Sequence, residues 1–188
     1  MPDNSCILPR VAIWLVPRQS DRSILDALIA DLAGRFSAPE FVPHMTLCTC
    51  RRSSLQKALT VTAVLAGRCS PLTLRTDGLA SGDRLTRALF ARLVADTALQ
   101  RLRGALQSEL PQSPVHDFEP HVSLLYQFLP LAVRKRLTRE AMLPLPEIGF
   151  DQIRAVAIPA TIHAKEQLSG WQTLLSCRLA PNAIAGTI

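Results

Sequence analysis

Two short segments of the sequence repeat one pattern of chemically active side chains. Residues 41–47 read F-V-P-H-M-T-L and residues 118–124 read F-E-P-H-V-S-L, so both spell F-x-P-H-φ-[ST]-L, where φ is apolar. For this composition, finding the P-H-x-[ST]-L core around two of the four histidines by chance has a probability on the order of one in a hundred thousand. Imidazole exchanges protons near pH 7 and a hydroxyl can bind phosphate oxygens, so the repeat indicates acid–base chemistry at a phosphate ester.

Strand alternation would turn each motif into one half of a site. His44 and Thr46 would point to one face while the apolar residues beside them anchor the other face in a core, and His121 and Ser123 would be placed likewise. If the halves face each other, one neutral imidazole takes a proton from water and the other, protonated, gives one to the leaving oxygen. This chemistry needs no metal. The sequence leaves open which histidine is the acid and which is the base.

The elements that must position these residues are a mixture of strands and helices. Apolar runs and period-two patterns predict strands over 10–16, 41–50, 71–79, 87–94, 120–128, 148–158 and 171–179. Helical spacing predicts helices over 21–34, 53–66, 96–110 and 131–142, the first capped by Asp21 and ended by Gly34 and Pro39. We expect an α+β fold in a single domain, with the last two strands paired and a turn at Gly78 and Gly82.

Composition narrows the class of protein. The chain has 188 residues, of which 48% are hydrophobic and 19% charged, enough to bury a core. Its longest apolar run, over 11–16, is far shorter than the ~20 residues that span a bilayer, and residues 1–10 do not resemble a secretory signal, so we expect a cytoplasmic protein with no membrane partner. Five cysteines without a CxxC pair favour reduced thiols. The net charge of +6, carried mostly by arginine, suits phosphate-bearing partners, although it can equally reflect genome composition.

These motifs resemble those of the 2H phosphoesterase superfamily. The opening A-I-W-L-V-P strand over 12–17, the approach to His44 and the later H-x-S-x-x-Y over 121–126 resemble its cyclic phosphodiesterase branch. The resemblance implies a single bilobal domain over 1–188, in which two pseudo-symmetric lobes of antiparallel sheet with flanking helices each bring one motif, 44–46 or 121–123, to a central cleft. It also implies metal-independent hydrolysis of ADP-ribose 1″,2″-cyclic phosphate or of nucleoside 2′,3′-cyclic phosphates, the latter to 2′-phosphates.

The resemblance also implies roles for individual residues. His44 and His121 would be catalytic, Thr46 and Ser123 would bind phosphate, and no cofactor or metal is expected. Two aromatic residues, Tyr126 and Trp14, match positions near the nucleoside, where a ring can stack on a base. Both could instead be core aromatics, and Tyr126 would need a bulge or a strand end to share the face of His121.

Some residues near the motifs carry weaker predictions. Perfect alternation would place Cys48 and Cys50 on the face of His44, but no second pair of metal ligands accompanies them, so we predict no metal site. Because neighbouring residues of a strand face opposite ways, only one of Arg51 and Arg52 could bind a distal phosphate.

Two other functions remain open from the sequence alone. One is an enzyme that acts on RNA ends, either as a cyclic phosphodiesterase or as a ligase-like enzyme that makes 2′-5′ bonds. The other is a non-catalytic module that binds nucleotides or RNA ends. We expect a monomer whose partner is a small cyclic nucleotide, with RNA ends as the alternative partner.

Overall fold

The computed structural model describes residues 10–111, 118–159, 168 and 170–180. In chain order, the elements of these ranges are β1 (Arg10–Pro17), α1 (Gln19–Phe36), β2 (Met45–Arg51), α2 (Leu55–Arg68), β3 (Leu72–Ala80), β4 (Leu89–Leu93), α3 (Thr97–Glu109), β5 (His121–Leu125), α4 (Leu131–Glu140), β6 (Glu147–Ile158) and β7 (Gln172–Arg178). The predicted order of strands and helices is confirmed. The predicted strand over 41–50 begins only at Met45, after Pro43, which has no N–H to give to a ladder.

The strands form one open antiparallel sheet in the order β2-β1-β6-β3-β4-β5, with β7 also paired to β6. Strand β6 is shared by the two halves of this sheet. One edge of β6 pairs with β1, while the other edge pairs first with β3 and then with β7. The predicted α+β class is confirmed, as is the pairing of the last two strands.

The helices pack on one face of the sheet and make a single apolar core with it. Helices α2 and α3 contact the half that contains β2, β6 and β7, whereas α1 contacts β5 and α4 contacts β3 and β4. The predicted apolar stripe of α3, formed by Leu99, Leu102 and Leu106, is buried in this core. No helix of the described ranges is long and apolar enough to cross a membrane.

The sheet bends so that its two end strands become neighbours. Residues of β2 and β5 approach within 8 Å between Cα atoms although they stand at opposite ends of the strand order. One source of curvature lies in β3, where the pairing with β4 is irregular between Thr76 and Leu79 and Gly78 adopts a φ of 74°. A bulge with a left-handed glycine bends its strand. The predicted turn at Gly78 is therefore a bulge inside a strand.

Asp21 does not cap α1 as predicted, because its carboxylate forms other hydrogen bonds. The helix begins at Gln19 and Arg18 is its N-cap residue, without a side-chain cap. The buried carboxylate of Asp21 accepts hydrogen bonds from the backbone N–H of Gly149 at 2.7 Å, from Arg18 Nε at 3.0 Å and from the Ser20 hydroxyl at 2.9 Å. Burial by itself would raise the pKa of Asp21, but these bonds outweigh burial and the pKa is lowered. Asp21 thus ties α1 to β6.

We expect replacement of Asp21 by alanine to lower the free energy of unfolding by about 1–3 kcal/mol, because the buried N–H of Gly149 would lose its acceptor. The measurement is urea denaturation at pH 7. Asp31→Ala is the matched control, since Asp31 pairs with Arg35 on the exposed surface of the same helix and such pairs contribute little. Equal losses in the two variants would contradict the assigned role of Asp21.

Candidate active site

The first histidine is held in one orientation by the backbone just before β2. His44 Nδ1 lies 2.7 Å from the carbonyl oxygen of Val42, two residues earlier. A carbonyl only accepts, so Nδ1 carries the proton and Nε2 keeps the lone pair. Val42 precedes Pro43, which restricts Val42 to extended backbone. The proline of the motif therefore helps to present the carbonyl that fixes the histidine tautomer.

The second motif repeats this arrangement at the start of β5. His121 Nδ1 lies 2.7 Å from the carbonyl oxygen of Glu119, which also precedes a proline, Pro120. The free nitrogen is again Nε2. Both histidines line one cavity of about 790 Å³, together with Thr46 and Ser123. The structure thus brings together the four side chains that the sequence singled out.

Each motif strand contains a bulge at the same place in its pattern. In the β1–β2 ladder Trp14 pairs with Thr46 and Ile13 pairs with Cys48, so Leu47 has no partner. In the β4–β5 ladder Leu124 is skipped in the same way. An extra residue reverses the alternation of everything that follows it.

The bulges explain two departures from perfect alternation. After Leu47, Thr49 lines the cavity, whereas Cys48 and Cys50 turn into the core on the opposite face. The alternation that placed these cysteines beside His44 is therefore wrong. After Leu124, Tyr126 comes round to the cavity, as the sequence analysis required of any ligand contact at that position.

The two cysteines of β2 are buried thiols of low reactivity. The four cysteines of the described ranges, Cys48, Cys50, Cys69 and Cys177, are free. Burial raises the pKa of Cys48, to about 12, and that of Cys50. Uncharged buried thiols of this kind serve as small apolar residues.

Aromatic rings enclose the first histidine. The imidazole of His44 stacks on Trp14 with the ring centroids 3.6 Å apart, and Trp171 meets both rings edge-on. Trp14 lines the cavity but is only 5% exposed, so this stacking covers most of its ring. Tyr126 is 2% exposed and stacks on Phe41, also with centroids 3.6 Å apart. Contact of Trp14 and Tyr126 with a nucleoside stays a prediction.

Other residues of the cavity were not singled out by sequence reasoning. Thr49 reaches it only because of the bulge, and Trp171 and Phe128 carry no motif that marks them. Phe128 is 58% exposed, which leaves its ring free for a ligand. Arg87 lines the cavity, forms an ion pair with Glu119 and lies over the ring of Phe90. The other two histidines of the sequence, His116 and His163, lie outside the described residues.

Burial makes both catalytic candidates weaker bases than a free histidine. The pKa of His44 is lowered to about 4, first by desolvation and then by the charges of His121 and Arg154, while its hydrogen bond to Val42 acts in the opposite direction. The pKa of His121 is lowered as well, first by desolvation and then by Arg87, while its bond to Glu119 and the Glu119 carboxylate act in the opposite direction. At pH 7 His44 is therefore neutral, with the lone pair of Nε2 available to a proton.

Comparison with known proteins agrees with this geometry. The model of the 2′-5′ RNA ligase superfamily matches residues 33–156, well over half of the chain. The protein belongs to the 2′-5′ RNA ligase superfamily, the 2H phosphoesterases. One relative of this 2H phosphoesterase, a cyclic phosphodiesterase from Arabidopsis thaliana, is 21% identical over 173 residues, which is 90% of this chain and 95% of the relative.

Solved structures show the same fold. TT0787 of Thermus thermophilus superposes with a TM-score of 0.64 at 16% identity, covering 92% of this 2H phosphoesterase and 98% of the other chain. E. coli LigT complexed with 3′-AMP gives a TM-score of 0.56 at 19% identity, with 91% and 98% covered. The superfamily and the fold class predicted from the paired motifs are confirmed.

The buried imidazole of His44 makes the stability of this 2H phosphoesterase depend on pH. Below about pH 6.5 the unfolded chain binds a proton at His44, whereas the folded chain does not bind it until about pH 4. The free energy of unfolding therefore decreases as the pH is lowered through this window, by about 3 kcal/mol in all. We expect His44→Gln to remove this part of the loss. Urea denaturation of both proteins from pH 7 to pH 4 tests it, and identical slopes would contradict the assignment.

Proposed function

We propose that the protein hydrolyses cyclic phosphodiesters of nucleosides, with His44 as general base and His121 as general acid. One observation carries the proposal. Two histidines with their Nδ1 atoms fixed to backbone carbonyls line the same cavity, together with two hydroxyl groups. Two imidazoles in opposite protonation states are what concerted proton transfer at a phosphodiester requires.

In the proposed reaction, water attacks the phosphorus of a 2′,3′-cyclic phosphate. His44 Nε2 takes a proton from the water as the new P–O bond forms, and His121 Nε2–H gives a proton to O3′ as the P–O3′ bond breaks. The product is a nucleoside 2′-phosphate. His44 ends protonated and His121 neutral, and exchange with solvent restores the starting state of each.

The assignment of the two roles rests on their different surroundings. His44 is stacked on Trp14 and its pKa of about 4 keeps it neutral, as a base must be. His121 has the Glu119 carboxylate near it, which favours the protonated form needed by an acid. Desolvation nevertheless keeps the pKa of His121 below its usual value in the free protein, and the negative charge of a bound phosphodiester would raise it.

The two hydroxyl groups would hold the non-bridging oxygens of the phosphate. Thr46 lines the cavity beside His44. Ser123 donates its single hydroxyl hydrogen to the carbonyl oxygen of Thr86 at 2.8 Å, so it must exchange this bond for one to the phosphate when substrate binds. Loss of one such donor would slow turnover without removing the acid or the base.

The comparisons support a nucleotide substrate. The Arabidopsis relative is named a cyclic phosphodiesterase, and LigT structures are complexed with 3′-AMP, phosphate, ATP or NADP⁺. A second candidate is the joining of RNA ends, favoured by the 2′-5′ RNA ligase description of the matching family. In that reaction the 5′-hydroxyl of an RNA would replace water as the nucleophile, and the same two histidines would move the protons.

We expect the protein to hydrolyse nucleoside 2′,3′-cyclic phosphates in EDTA, and His44→Ala or His121→Ala to slow turnover by about 10²–10⁴-fold, the usual contribution of a general acid or base. The panel also includes ADP-ribose 1″,2″-cyclic phosphate and RNA oligonucleotides with cyclic phosphate ends. Chromatography separates 2′- from 3′-phosphates, and gel electrophoresis detects 2′-5′ joined products.

Each outcome of this panel has a meaning. Joined RNA without hydrolysis would favour the ligase function. Binding without any turnover in the wild type would overturn catalysis and leave a binding module. Variants that melt at the temperature of the wild type and still bind phosphate separate loss of chemistry from loss of fold.

The roles of the two histidines can be told apart with an activated leaving group. A nucleoside p-nitrophenyl phosphodiester releases nitrophenolate, which needs no general acid. On this substrate we expect His121→Ala to keep its rate within about 10-fold of the wild type, while His44→Ala loses about 10²-fold or more. Absorbance of nitrophenolate measures both rates. If His44→Ala keeps a rate near that of the wild type and His121→Ala does not, the roles of acid and base are reversed.

A further inference from the structure

A pair of arginines that the proposed chemistry does not use lies at one end of the cavity, where Arg10 is part of the lining. Arg10 and Arg51 are direct partners in the β1–β2 ladder. Residues directly opposite in a ladder share a face. On this face the same two strands carry Thr49 and, nearer the histidines, Trp14 and Thr46. Arg10 lines the cavity, and Arg51 is exposed beside it at the end of β2.

This pair is unfavourable in the protein alone. Like charges directly opposite on neighbouring strands repel each other. Within the described ranges, no carboxylate oxygen lies within 4.0 Å of either guanidinium, in contrast to the arginines that do form ion pairs. An anion bound between the two guanidinium groups would relieve the repulsion and accept several hydrogen bonds from their planar forks.

A third arginine of the cavity is also unpaired. Arg84, in the segment before β4, lines the same cavity and has no ion pair with the described residues. Arg87 differs, because it pairs with Glu119. The one carboxylate among the lining residues of the described ranges is that of Asp83. Arg10 and Arg84, the two lining arginines without an ion pair to the described residues, outnumber it, so the lining favours anions.

The position of the arginines along the strand separates them from the histidines. Arg10 lies four residues along β1 from Trp14, which is stacked on His44, or about 13 Å at ~3.3 Å per residue. An anion held by Arg10 and Arg51 therefore lies farther along the cavity than a phosphate held at the histidines. This spacing suits a second phosphate of one substrate molecule.

We propose that Arg10 and Arg51, with Arg84 of the segment before β4, form a second anion site for another phosphate of the same substrate molecule. The inference rests on the proposed function, which places the reacting phosphate at the histidines. The preferred substrate is then a cyclic phosphate with a further phosphate group, such as a 5′-phosphorylated nucleotide or a dinucleotide. A bare nucleoside cyclic phosphate would leave this second site empty.

Binding of product-like ligands tests the site without turnover. Calorimetry compares adenosine 2′-phosphate with adenosine 2′,5′-bisphosphate and with a dinucleotide that ends in a 2′-phosphate. We expect at least one of the two longer ligands to bind the wild type about 10-fold tighter than adenosine 2′-phosphate, and which of them does so measures the spacing. In Arg10→Gln/Arg51→Gln this advantage should fall to about 2-fold or less.

The matched control is Arg101→Gln, which removes one positive charge from the exposed surface of α3 and should keep the full advantage. Equal affinity of the wild type for all three ligands would overturn the second site, as would an advantage that survives in the double variant or disappears in Arg101→Gln.

Kinetics separate this inference from the proposed function. We expect the ratio of kcat/KM for a 5′-phosphorylated or dinucleotide cyclic phosphate to that for the bare nucleoside cyclic phosphate to follow the binding results. Hydrolysis of all substrates with one kcat/KM would leave the proposed function standing and sink the second site. Tighter binding of the longer ligands without any hydrolysis would support the second site and overturn the proposed function.

Discussion

The sharing of β6 between the two halves of the sheet is the constraint on which the candidate site depends. β6 pairs with β1 along one edge and with β3 and β7 along the other, so the half that carries β2 and the half that carries β5 are bonded to one continuous strand. The two motif strands stand at the ends of the strand order and meet only because the sheet bends. The bond from Gly149 of β6 to buried Asp21 fastens α1 to this same strand.

The two motifs position their side chains in the same way. In each motif the carbonyl oxygen of the residue before the proline fixes Nδ1 of the histidine. A bulge after the hydroxyl residue then turns a later side chain toward the cavity. The covalent pattern is thus nearly symmetric. The surroundings are not, since His44 is enclosed by Trp14 and Trp171 while His121 has a carboxylate and a guanidinium near it. Two copies of one motif can therefore hold different protonation states.

Positive charge and burial act together in the cavity. Burial disfavours a charge on either imidazole, and the charges of Arg154 near His44 and of Arg87 near His121 add to this effect. An arriving phosphate reverses both influences, because a negative charge favours the imidazolium form. Under the proposed function, the acid would become charged when the substrate that needs it is bound. Under the further inference, other arginines, Arg10, Arg51 and Arg84, would extend recognition beyond the reacting group.

The sequence by itself singled out the four candidate residues of the site and determined the class of the fold. The F-x-P-H-φ-[ST]-L repeat named His44, Thr46, His121 and Ser123, and the periodicity of apolar residues predicted the order of strands and helices, because both depend on spacing within a single segment. Only the tertiary structure decided which side chains share a face after a bulge, since an extra residue in a ladder is defined by its partner strand. The bulges turned Cys48 into the core and brought Tyr126 to the cavity. Only the tertiary structure also showed that Asp21 bonds Gly149 and that Arg10 pairs with Arg51, because these partners are far apart in the sequence.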